Sequence, residues 1–175
     1  MRMTIDICLI GGDIVIRFLR RHERAIHVIA IYAYLILIVA YAILSLQNGA
    51  ESSHTSSSVA SAVAKGQEIV TGKTVTVTEK YKYNVRKILG HYGFFVLIGF
   101  TSAFTYMLIP IKKWISIIIH FSTGLLFALI TEFWFQASSK GRSPAYNDVL
   151  IDYAGFLTLS VAVVVVLTIT HKEKC

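Results

Sequence analysis

Four long apolar runs decide what this chain can fold into. Residues 26–46 contain no charge, and 88–109, 114–135 and 148–169 are close to them in character. A helix needs about 20 residues to cross the ~30 Å hydrocarbon core of a bilayer. Backbone groups in lipid must find partners within their own segment, so runs of this length read as helices. The expected fold is all-α: a four-helix transmembrane bundle over those four spans. Composition agrees, with 55% hydrophobic and only 15% charged residues, where soluble domains average roughly 25% charged. Cys8 and Cys175 stand at opposite ends and offer no zinc or redox spacing. No cleavable signal peptide is evident, because Gly11-Gly12 and two aspartates break the first apolar stretch.

Outside the spans, residues 1–25 form an N-terminal unit. Asp13 is a candidate N-cap, and Arg17, Arg20, Arg21 and Arg24 recur at i, i+3, i+4 and i+7. That spacing puts them on one helix face, opposite Ile14, Val15, Phe18 and Leu19. It reads as an amphipathic helix on an anionic leaflet. Residues 47–86 read as an aqueous loop. A serine-rich stretch comes first, and then 73–83 alternates with period two. The alternation is a strand signal, closing as a short β-hairpin through Thr71-Gly72-Lys73. Gly90, Gly93 and Gly99 would let a neighbouring helix approach the second span, which Pro110 stops. Trp114 and the 133–135 aromatics mark the two ends of the third span. Ser143-Pro144 resembles an N-cap and N1 pair for the fourth helix, and 171–175 form a short tail. Tyr32, Tyr34 and Tyr41 read as packing residues, and His120 as a neutral histidine hydrogen-bonded to another helix.

The net charge of +7 sits beside apolar runs. It therefore fits membrane orientation and anionic headgroups, not nucleic acid. A four-span threading places nine Lys and Arg on one side and eight on the other. The raw count barely discriminates. Short segments next to span ends weigh most, so the arginines just before the first span place both termini in the cytoplasm.

Either orientation gathers the ionisable residues at one end. The start of the second span brings Arg86, Lys87 and His91. The end of the third brings Glu132 and Gln136, and the loop after it Arg142. Asp148, Asp152 and Gly155 share one face of the fourth helix. Ionisable groups at this depth are costly unless paired, and point to function. Mutual neutralisation is the plainer alternative.

The pattern E-x3-Q-x5-R-x5-D-x3-[N/D]-x2-G, after a helix opening R-K-x3-H-Y, resembles the VanZ-like family. These are small bacterial membrane proteins named for a teicoplanin-resistance protein. The matching positions are Arg86, Lys87, His91, Tyr92, Glu132, Gln136, Arg142, Asp148 and Gly155. The Ser45-Leu46-Gln47 exit and the serines of 52–58 also look like Gram-positive members. The resemblance covers roughly residues 26–170. Asp152 stands where asparagine is usual and Leu159 where a second glycine is common, so one more negative charge enters the cluster.

The resemblance implies a plasma-membrane envelope protein of bacteria linked to glycopeptide or lipoglycopeptide resistance. Two mechanisms fit the residues. In one, Arg86, Lys87 and Arg142 hold the phosphate or carboxylate of an envelope lipid or antibiotic. In the other, an interfacial enzyme acts on a lipid-linked phosphate or glycan, with His91 and Glu132 or Asp148 as acid and base. A divalent metal on His91, Glu132, Asp148 and Asp152 is a further option. Transport would need an oligomer, because four helices without a repeat make a poor alternating-access machine. No P-loop, nucleophile elbow or zinc-protease helix is present. Ligand, turnover and oligomeric state stay open.

Overall fold

A computed structural model of the protein describes residues 21–172. Four of its helices are long and apolar enough to cross a membrane. The first, α1, runs Glu23–Leu46. The second combines α3 (Glu79–Val85), a π-helical stretch π1 (Arg86–Gly93) and α4 (Phe94–Met107). The third joins α5 (Lys113–Ile130) to a second π-helical stretch, π2 (Thr131–Gln136). The fourth is α6, Tyr146–Lys172. The protein is thus built as a multi-pass membrane protein. Each span keeps most of its surface outward and apolar, as lipid requires. The amphipathic helix expected within residues 1–25 falls mostly outside the described residues.

Residues 47–86 differ from expectation. No strand forms among the described residues, and the segment is not a loop. Gly49–Thr71 is a 23-residue helix, α2. Both its ends are capped. Asn48 accepts from the Glu51 amide at 3.0 Å while the Glu51 carboxylate accepts from the Asn48 amide, a reciprocal capping box. Gly72, at φ 67°, closes the C-terminus in the left-handed region. Between the caps, serines turn their hydroxyls back on the helix, as Ser56 does onto the Ser52 carbonyl at 2.7 Å. Of the alternating stretch 73–83, residues 73–78 are irregular chain that folds back along α2 and the rest begins the helix α3. The Val75 amide donates to Glu68 Oε1 at 2.8 Å, and the Tyr81 hydroxyl to Gln67 at the same distance. A two-stranded hairpin with nothing to rest on is marginal. Here a helix side chain satisfies the backbone instead, and α2 with α3 forms a helical hairpin.

Close backbone approach sets the bundle geometry. A Cβ on Gly99 would collide with the Phe156 carbonyl, and one on Gly155 with the Tyr92 carbonyl. Helices α4 and α6 therefore pack main chain to main chain. Gly124 leaves room for the Phe156 ring. Gly90 and Gly93 do not serve this way, since no other helix approaches them. Tyr34, Tyr41, Phe95, Ile98, Ala128, Val149 and Phe156 form the main core. His120 is buried in it, 3.1 Å from the Ser102 hydroxyl and 4.8 Å from the Phe156 ring centre. Trp114 and Trp134 are exposed at opposite ends of the third span.

Candidate functional site

The two π-helical stretches lie at the same end of the bundle, and between them they carry most of the site. A π-turn adds a residue to the helical repeat and re-aims the side chains that follow. On π1 this presents Arg86, Lys87 and His91, and on π2 Glu132 and Gln136. Opposite stand Asp148 and Asp152 on α6. Arg142 comes from the short connection before α6, beside Gly141 at φ 77°.

Asp152 and Glu132 have no exposed surface, and His91 and Asp148 are nearly as buried. His91 Nδ1 lies 3.0 Å from Asp152 Oδ1. The Tyr41 hydroxyl donates to Asp152 Oδ2 across 3.3 Å and stands 3.3 Å from His91 Nδ1. Lys87 pairs with Asp148 and also lies over the Tyr83 ring. Asp148 Oδ2 is 3.8 Å from His91 Nε2. On the other flank runs a relay. Arg142 donates to the Gln136 carbonyl oxygen, and the Gln136 amide donates to Glu132. Glu132 Oε1 accepts from the Ala145 amide at 2.8 Å. Arg142 Nη1 also reaches the carbonyls of Leu44 and Ser45, 3.3 Å each, at the end of α1. A helix C-terminus leaves such carbonyls without intrahelical partners. Burial, and then the neighbouring Arg86 guanidinium, pull Arg142 below its ordinary pKa.

Two chambers open beside this network, under α2. The outer one, about 340 Å³, is walled by Ser52, Ser53 and Ser56 of α2 with Lys82, Arg86 and Arg142 facing them. The inner one, about 90 Å³, reaches Tyr41 and His91. Arg86 and Arg142 line both. Helix α2 is seated there by the Gly49 amide, which donates to the Lys140 carbonyl at 2.8 Å. A side chain on Gly49 would collide with the Gly141 carbonyl oxygen.

All eight sequence-expected residues meet at this end. Seven join the buried network, and Arg86 stands at the chamber wall, with no hydrogen bond or ion pair among the described residues. For a metal, His91, Glu132 and Asp152 bring donor atoms within 4.8 Å of one another. Asp148 is outside that group and is engaged by Lys87. Two contributors were not expected. Tyr41 is a member of the site as well as a packing residue, its ring 5.0 Å from that of Phe95. The serine face of α2 roofs the chambers. An Asn-x-x-Glu box followed by a distant glycine was the available signal for that helix. Comparison with protein-family models, with curated proteins and with solved structures finds no match to this chain.

Proposed function

We propose that the chambers bind the anionic headgroup, phosphate or carboxylate, of an amphiphile drawn from the surrounding bilayer. One observation carries this. Arg86 and Arg142 face the same chambers, close enough to oppose each other's charge, and Arg86 has no protein partner among the described residues. Arg142 Nε is also buried without an acceptor. Two guanidinium groups sharing a half-buried space repel, more strongly than they would in water. An anion between them relieves that repulsion and takes up their free N–H groups in a planar fork. Serine hydroxyls on the facing helix supply neutral donors. The resemblance to the VanZ-like family supports an envelope amphiphile at the outer face of a bacterial plasma membrane. In that reading both termini are cytoplasmic, and the biological role is glycopeptide or lipoglycopeptide resistance.

The test uses the full chain in nanodiscs of neutral lipid. A short polyprenyl phosphate is titrated against the matched polyprenol, with binding followed by native mass spectrometry. The phosphate is expected to bind preferentially. Arg86→Gln should weaken it by about tenfold or more, since a hydrogen bond to a charged group is worth about 1.5–3 kcal/mol. Melting temperature should hardly move, because Arg86 makes no hydrogen bond or ion pair among the described residues. Equal binding of the uncharged alcohol, or unchanged phosphate binding by the variant, rejects the reading.

A second reading is acid–base chemistry on a lipid-linked phosphate. It is favoured by His91, which lines the inner chamber with Asp152 behind Nδ1. A carboxylate in that position fixes the imidazole's orientation. Release of inorganic phosphate from the bound probe, abolished by His91→Gln, distinguishes turnover from binding.

A further inference from the structure

Of the three buried carboxylates at this end, only Asp148 has a Lys or Arg within ion-pair distance among the described residues. Lys87 pairs with Asp148, and Arg142, hydrogen-bonded to Gln136 and the α1 carbonyls, meets Glu132 only through Gln136. Glu132 and Asp152 are fully buried, and neither has a Lys or Arg within ion-pair distance among the described residues. Their partners are a backbone amide, a glutamine amide, a tyrosine hydroxyl and an imidazole. Two carboxylates inside a membrane helix bundle are neutralised either by a proton or by a cation.

The geometry supplies a place for one. One donor atom each from His91, Glu132 and Asp152 falls within a 4.8 Å group. His91 Nδ1 and Asp152 Oδ1 are 3.0 Å apart, and the Tyr41 oxygen is 3.3 Å from Nδ1 and from Asp152 Oδ2. With metal–ligand bonds of about 2.1 Å, adjacent donors around a four- or six-coordinate ion stand roughly 3.0–3.4 Å apart. The spacing that serves a hydrogen-bond network therefore also serves as the edge of a coordination shell. Tyr41 and His91 line the inner chamber, which gives an ion a way in and leaves room for water on the open side.

We propose that His91, Glu132 and Asp152, with the Tyr41 hydroxyl beside them, bind one divalent transition-metal ion of the zinc or manganese class. One imidazole with two carboxylates suits such ions better than magnesium or calcium, which favour all-oxygen shells. Gln136 and Ala145 hold the Glu132 carboxylate from outside, the kind of support that orients metal ligands. The inference goes beyond anion binding and does not depend on it.

The test uses the full chain purified in detergent and stripped with a chelator. Zinc and manganese are added separately, and the metal retained after desalting is measured by mass spectrometry. About one ion per chain is expected, with a higher melting temperature. Glu132→Gln and Asp152→Asn keep size but replace one acceptor oxygen with a donor NH2, and each should weaken retention by at least about tenfold, the scale of outer-shell changes. Glu68→Gln, a carboxylate far from the group, should retain the ion. Cobalt absorption bands of the unsubstituted protein supply a readout independent of variant folding, since nitrogen and oxygen ligation at low coordination number gives visible transitions. Failure of the unsubstituted protein to retain either ion, or unchanged retention in both carboxylate variants, overturns the proposal.

Discussion

Arg142 shows how far a residue's surroundings can differ from its position in the sequence. From the sequence it belongs to a short loop near water, where replacement by lysine would cost little stability. In the structure it is a half-buried clamp joining the end of α1 to Gln136. A lysine keeps the charge but cannot reach three acceptors in two directions. Arg142→Lys is therefore expected to lower stability by about 2 kcal/mol, the scale of one hydrogen bond to a charged group. Differential scanning fluorimetry in detergent measures it, and an unchanged melting temperature would mean that the clamp is slack. Arg86 lies one chamber wall away and should behave oppositely, with ligand affinity lost and stability kept. Tyr41 combines the two roles. Tyr41→Phe keeps the ring among Phe94, Phe95 and Phe127 but removes a donor from buried Asp152. A cost of about 1–3 kcal/mol is expected, as for any buried acceptor deprived of a partner. A melting temperature equal to that of the unsubstituted protein would show that Asp152 finds its partner elsewhere.

At the scale of elements, the four spans were legible because lipid permits so few alternatives. An uncharged run of span length has to be a helix. The ionisable residues were legible for the same reason, since charge inside such helices is too costly to be incidental. The π-turns were not legible, because nothing in Arg86–Gly93 or Thr131–Gln136 marks a repeat with one extra residue. Helix α2 was misread because serine and threonine compete with the helix for backbone hydrogen bonds. Two end caps and an alanine-containing face favour the helix instead, and the alternating chain beyond it gives its Val75 amide to Glu68, not to a partner strand. Those caps carry a consequence. Asn48→Ala removes the reciprocal box and should cost about 1 kcal/mol, which corresponds to roughly fivefold faster amide exchange if α2 opens locally. Hydrogen-exchange mass spectrometry should place the change in residues 49–60 and leave 94–107 as before. A uniform change across the chain would mean that α2 opens only with the whole bundle.

The whole molecule is polarised along its long axis. One end holds the buried charges, both π-turns, the chambers and the α2–α3 hairpin. At the other, His27 Nε2 is 2.9 Å from the Thr105 carbonyl oxygen, and Lys112 and Trp114 lie exposed at the α4–α5 turn. Which end faces the cell exterior follows from the balance of charge near the span ends. Lys80, Lys82, Arg86 and Lys87 argue for a cytoplasmic polar end, but long segments translocate largely regardless of charge. In the proposed topology the basic cluster at 17–24, at the entry to the first span, outweighs them, and the chambers face outside. Two exposed positions separate the orientations, Ser58 on α2 and Lys112 in the turn. With Cys8 and Cys175 replaced by serine, a cysteine at position 58 should react with an impermeant thiol reagent in intact cells. A cysteine at position 112 should react only after the membrane is permeabilised. The opposite pattern would turn the chambers toward the cytoplasm. Any headgroup reaching Arg86 would then come from the inner leaflet, and an antibiotic acting from outside could not be the ligand.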